Sequence, residues 1–116
     1  MTASVFDQVN DLMCMIEERR ARPGGVIMGE VQVVALAEEV ARYTDDSPEF
    51  VAYGIRRYGG QVFGVPILCV DQPDRLLVVS DDLTVRCGSG VDWNDDARRQ
   101  AALAMLRRMR HDYASV

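Results

Sequence analysis

A chain of 116 residues, 48% hydrophobic and 27% charged, has the size and composition of one ordinary globular domain and excludes general disorder. No apolar run approaches the roughly 20 residues that a transmembrane helix needs, so a membrane span is excluded as well. The net charge of −5, from 18 acidic against 13 basic groups, argues against long-range attraction to nucleic acid.

Ser4 can cap a first helix, with Asp7 three residues on as a weak capping box. Val5, Val9, Leu12 and Ile16 recur at helical spacing, with Phe6 and Met13 widening the stripe, and the pattern predicts a helix to about Ala21. Pro23-Gly24-Gly25 is expected to stop it. Val26-Ile27-Met28 is short and β-branched. From Glu30 to Thr44 the good helix formers Ala35, Leu36, Ala37, Glu38 and Glu39 favour helix over strand, and Asp45 to Pro48 makes a polar break.

The middle of the chain reads as strands. Phe50 to Tyr58 and Gln61 to Val70 flank Gly59-Gly60, a pair suited to a two-residue hairpin turn. Gly64 and Pro66 interrupt the second strand and predict a bulge or a sheet edge there. Asp71-Gln72-Pro73-Asp74 predicts a turn, Leu76 to Val79 a strand, Asp81-Asp82 a turn, and Leu83, Val85 and Cys87 an alternating strand. Gly88-Ser89-Gly90 then loosens the chain. Asp92 or Asn94 can cap a closing amphipathic helix whose Ala102, Leu106, Met109 and Tyr113 mark one face.

Together these elements predict a single α+β domain over residues 1–116. Its sheet is expected to be an antiparallel β-meander of about four strands with helices packed on one face.

Candidate chemistry is sparse. Cys14, Cys69 and Cys87 are odd in number and widely spaced, so they read as reduced, mostly buried thiols rather than a disulfide framework or a C-x-x-C pair. The one histidine, His111, lies near the end of the chain beside Asp112, a poor platform for a catalytic triad or a zinc site. Asp45-Asp46, Asp81-Asp82 and Asp95-Asp96 lack the spacing of a calcium loop and read as solvated turns or helix caps. Gly88-Ser89-Gly90 lacks the lysine and the longer glycine spacing of a phosphate loop. No catalytic residue, metal ligand or cofactor is therefore expected.

All 13 basic residues are Arg, which codon usage in a GC-rich genome explains, although Arg also suits interfaces. On the closing helix, Arg99, Arg107 and Arg110 share a broad stripe while Arg108 lies opposite, so no clean nucleic-acid-reading face results. Trp93, the only tryptophan, is either an interface anchor or a cover for the core edge. Candidate protein-contact residues are Asp45, Asp46, Asp81, Asp82, Trp93, Arg99, Arg107 and Arg110. With no basic n-region followed by an apolar stretch, a cytoplasmic location is expected.

Gly59 to Ser80 reads GGQVFGVPILCVDQPDRLLVVS, which is similar to a stretch seen in small proteins of bacteriophages and prophages, where an apolar G-[VI]-P-[VI] segment precedes a short turn and another apolar strand. The likeness covers about a fifth of the chain and carries no catalytic residue. An acidic chain with no visible chemistry leads to the expectation of a non-enzymatic accessory protein that binds another protein, and the likeness to phage proteins adds that it is encoded by a phage or mobile element. Acidic turns occupying a basic groove meant for nucleic acid, as in an inhibitor of a host defence system of the anti-CRISPR kind, fit that expectation. The alternative is a virion or assembly component or a small homo-oligomer, such as a homodimer, using the Gly64 to Val70 edge or the closing helix. An unrecognised enzyme is the third reading.

Overall fold

In the computed structural model, which describes residues 4–71, 73–89, 100 and 104–108, Ser4 caps helix α1 (Val5–Glu18) by accepting from the Asp7 N–H at 3.0 Å. Val5, Val9, Met13 and Ile16 form its buried stripe. The helix ends three residues before Ala21. Arg20 turns left-handed at φ 61°, its N–H donates to Glu17 O at 2.9 Å, and the Ala21 N–H donates to Ile16 O at 3.2 Å. This pair of bonds is a Schellman cap, built on arginine where glycine is usual. Pro23-Gly24-Gly25 therefore does not stop the helix; it opens strand β1 (Pro23–Met28).

Helix α2 (Glu30–Ala41) begins where the helix formers predict it. The next segment departs from expectation, because Pro48–Tyr58 is helix α3 and not a strand. Its start carries a full set of helix signals: the Phe50 N–H donates to Ser47 Oγ at 3.2 Å, Pro48 opens the first turn and Glu49 lies within it. These local terms outweigh the β propensity of Phe50, Val51 and Tyr53. Gly59, at φ 71°, is the cap of this helix, its N–H donating to Ile55 O at 3.0 Å, so the predicted Gly59-Gly60 hairpin turn does not exist.

The hairpin lies four residues further on. Strands β2 (Gly60–Val62) and β3 (Val65–Cys69) are joined by Phe63 at φ 50° and Gly64 at φ 80°, both left-handed as a two-residue loop between twisted strands requires. Strand β4 is Leu76–Ser80, and Gln72 of the turn expected before it lies outside the described residues. Strand β5 is Arg86–Ser89, shifted from the expected Leu83 to Cys87, because Leu83 at φ 65° belongs to the turn. Gly88 and Ser89, expected in a loop, are part of β5; a Cβ on Gly88 would lie 2.2 Å from Leu76 O, so the two backbones meet where only glycine fits.

The strand order is β2-β3-β1-β4-β5, with β1 parallel to β3 and antiparallel to β4. Among the described residues the sheet is thus mixed and five-stranded, where the sequence predicts an antiparallel meander of about four strands. Val26, Ile27 and Met28 are wholly buried, and a strand apolar on both faces is stable only in the middle of a covered sheet. Its insertion between β3 and β4 is what breaks the meander. The same order makes β3 an interior strand, so Gly64 to Val70 offers no edge for self-association; Pro66 pairs with Gln61 of β2, and the β1 register starts at Ile67.

Helices cover both faces rather than one. Val26, Met28, Ile67, Leu76, Val78 and Cys87 join the cluster of α1, α2 and α3. Ile27, Leu68 and Val79 point the other way and pack with Leu106, from the helical segment 104–108. Of the predicted closing-helix face, Leu106 is thereby seen to seal a sheet, while Ala102, Met109 and Tyr113 lie outside the described residues. No helix among the described residues is long and apolar enough to cross a membrane.

Candidate protein-binding face

Helices α2 and α3 pack side by side as an antiparallel pair, joined by a short acidic loop. Arg56 near the end of α3 pairs with Glu30 at the start of α2, its Nε donating to Glu30 Oε2 at 3.3 Å. The pair is largely exposed, so it orients the helices more than it stabilises them. Below it, Gln32 is buried and holds the 74–75 segment by one backbone and one side-chain bond. Its Oε1 accepts from the Arg75 N–H at 2.9 Å and its Nε2 donates to Asp74 Oδ1, while the Gly29 N–H donates to Arg75 O and the Val31 N–H to Pro73 O, both at 2.8 Å. The 73–75 loop is thus clamped to the start of α2.

The outer surface of this pair carries large apolar groups. On α3, Ala52 and Ile55 face the core, which turns Phe50, Tyr53 and Arg57, at i, i+3 and i+7, toward solvent. Phe50 is 64% exposed and Tyr53 53%. On α2, Val33, Leu36 and Ala37 are buried, and Val31, Val34 and Glu38 are exposed at the same helical spacing. Gly54, next to Tyr53 and one turn on from Phe50, has nothing within 4 Å of where a Cβ would stand. Exposed Glu38, Asp45, Asp46 and Glu49 border the face at the loop end.

Among the sequence-predicted contact residues, Asp45 and Asp46 lie in the α2–α3 loop beside this face, both exposed. Asp81 and Asp82 lie at the β4–β5 turn, and Asp82 has a local role. Its Oδ1 accepts from Ser80 Oγ at 2.6 Å, Thr84 Oγ1 at 2.7 Å and the Thr84 N–H at 3.1 Å. Those bonds, the Ser80 hydroxyl first, lower its pKa to about 2. The buried Ser80 hydroxyl in turn accepts from the Thr84 and Val85 N–H groups at 3.1 and 3.0 Å, so the turn is cross-linked by side chains. Arg107 is exposed on the 104–108 segment. Trp93, Arg99 and Arg110 lie outside the described residues. Sequence reasoning missed Phe50 and Tyr53, which it placed in a strand; the Ser47-Pro48-Glu49 cap was the signal that turns them into a helical stripe.

The cysteines differ from one another. Cys87 is buried, Cys69 half-buried, and Cys14, contrary to expectation, is exposed on the outside of α1. Cys69 ends β3, with its Sγ 3.7 Å from Ile55 O. Burial, reinforced by the Glu30 carboxylate against the opposing Arg56, pushes its thiol up to about 11. Neutral pH leaves it protonated and a weak nucleophile. Among the described residues, no three His, Cys, Asp or Glu side chains converge as metal ligands would.

No protein-family model, curated protein or solved structure matches the chain.

Proposed function

We propose that this protein acts without catalysis of its own, by binding another protein through the outer face of α2 and α3. The observation that carries this reading is the pairing of exposed Phe50 and Tyr53 on a helix whose Ala52 and Ile55 pack into the core behind them, bordered by Asp45, Asp46 and Glu49. Solvent-facing aromatics on a fixed scaffold lose little entropy on binding and dominate interface energetics. The acidic border and the net charge of −5 select a partner with a basic surface, such as the nucleic-acid groove of a host defence factor. Three free cysteines suit a reducing, cytoplasmic setting. The likeness of Gly59 to Ser80 to phage proteins agrees with an accessory role in a mobile element.

The test is affinity capture from a bacterial host at low and moderate salt, with the wild-type chain beside a Phe50→Ser/Tyr53→Ser variant. A specific basic partner retained by the wild type, weakened by salt and lost by the variant at unchanged circular dichroism supports the reading. Each aromatic truncation should cost about 2 kcal/mol, roughly 30-fold in affinity. Equal capture by both chains, or none by either, sinks it.

A further inference from the structure

At the far side of the sheet from α3, β5 is the last strand in the order, and no strand pairs with its outer side among the described residues. The other edge, β2, is only three residues long. Beside β5 and under α1 lies an open cleft of about 410 Å3, lined by Gln8, Asp11, Leu12, Met15, Leu76 and Gly88. The four α1 residues fall at i, i+3, i+4 and i+7, so they form one continuous wall parallel to the helix axis. Met15 is 43% exposed although it is apolar. Cys87 of β5 packs into the core that α1 covers, so this cleft and the α1 side of β5 belong to one surface.

We infer that β5 and α1 form a second binding site, which takes an extended cationic peptide as a sixth strand of the sheet. Three features define this occupant. The outer N–H and C=O groups of an edge strand are spaced for another extended backbone and pair best with one. Leu12, Met15 and Leu76 give the cleft an apolar wall, which accepts every second side chain of that added strand. Asp11 lines the cleft and Asp7 and Glu18 are exposed along the same helix, against Arg19 at its end and Arg86 on β5, so acidic groups outnumber basic ones beside the cleft. An Arg or Lys side chain laid in the cleft covers Leu12 and Met15 with its stem and meets Asp11 with its head. The same charge argues against a second copy of the chain as occupant, because β5 pairing with β5 brings two acidic α1 helices together. This site is independent of the α2–α3 face, and either can fail without the other.

The experiment is fluorescence anisotropy with the labelled peptide Thr-Leu-Thr-Arg-Thr-Leu-Thr, whose Leu, Arg and Leu side chains share one face of a strand. Controls are the same peptide N-methylated at alternate residues, which keeps its charge but cannot complete the ladder, and the version with Glu in place of Arg. Saturable binding is expected, accompanied by hydrogen-exchange protection of the β5 amides. Both control peptides, and the exposed-site variants Asp11→Arg and Met15→Asp, should weaken it by at least about tenfold. Phe50→Ser/Tyr53→Ser should leave it unchanged, which separates this result from the fate of the α2–α3 face. No saturable binding, equal binding of the N-methylated peptide, or indifference to Asp11→Arg overturns the inference. So does light scattering showing a dimer whose β5 amides are protected without peptide, since the edge then belongs to a second copy.

Discussion

The Glu39 carboxylate of α2 holds the first turn of α1, its Oε2 accepting from the Val5 N–H at 2.8 Å and its Oε1 from the Phe6 N–H at 3.2 Å. Ser4 satisfies the Asp7 N–H, so three of the four free donors at this helix start have side-chain acceptors, two of them supplied by a distant element. Negative charge at a helix N-terminus is favourable in its own right. Glu39→Ala should therefore destabilise the protein by about 1–2 kcal/mol, and Glu39→Gln, which keeps an acceptor oxygen, by less. Urea denaturation checks both; a midpoint for Glu39→Ala equal to that of the wild type would show that the cap contributes nothing.

Asp82 couples the β4–β5 turn to pH. Its folded pKa, about 2, lies below the ordinary value of 3.8, so the unfolded chain binds the proton more readily. The stability it contributes is complete above the unfolded pKa and is lost as pH falls from about 4 through about 2. Asp82→Asn should accordingly be less stable than the wild type at neutral pH, with the two converging in acid. Thermal melts across that range read the difference directly, and a gap that stays constant with pH contradicts the assignment.

Arg20 occupies a left-handed position that costs an L side chain roughly 1 kcal/mol relative to glycine. Arg20→Gly should relieve that strain, and although the greater freedom of glycine in the unfolded chain takes back part of the relief, a net gain of about 0.5 kcal/mol should remain. A raised melting temperature is the expected readout. A lowered one would mean that the Arg20 side chain makes a contact worth more than the backbone strain.

Leu106 is 1% exposed and packs with Ile27, Leu68 and Val79, with its Cδ2 3.1 Å from the place a Cβ on Gly25 would occupy. Leu106→Ala should cost about 2–5 kcal/mol and expose the second sheet face to a hydrophobic dye. Gly25→Ala pushes on the same side chain and should destabilise less, because the Leu106 terminus can shift. If Leu106→Ala changed neither stability nor dye binding, the segment would not be the cover of that face.

Thiol labelling orders the cysteines by environment. Cys14 is exposed and should react within the native state, Cys87 is buried and should react only on unfolding, and Cys69 should lag behind Cys14 until the pH approaches about 11. Rapid native-state labelling of Cys69 at neutral pH would contradict the raised thiol.

Much of the local structure was legible without coordinates. The Ser4 cap, the helix from Glu30 and the strand from Leu76 all stand as read, because each rests on groups a few residues apart. The error at Phe50 to Tyr58 was also local. Aromatic and β-branched residues there predict a strand, but the Ser47-Pro48-Glu49 start makes the segment a helix and sets Phe50 and Tyr53 on one stripe. Of the predicted contact residues, Asp45 and Asp46 are exposed in the α2–α3 loop, while Asp82 is bonded within its own turn.

The sequence by itself determined that this chain mixes helices with a sheet, carries acidic turns, and starts α1 and α2 where it does, since capping and periodicity act within a few residues. Only the tertiary structure decided that β1 pairs Val26 with Ile67 on one side and with Val78 on the other, that helices cover both faces, and that Glu39 reaches the start of α1. Those relations join segments far apart in the chain. Their free energy comes from burying Val26, Ile27 and Met28 on two faces at once, and no short stretch of sequence contains the partners that do so.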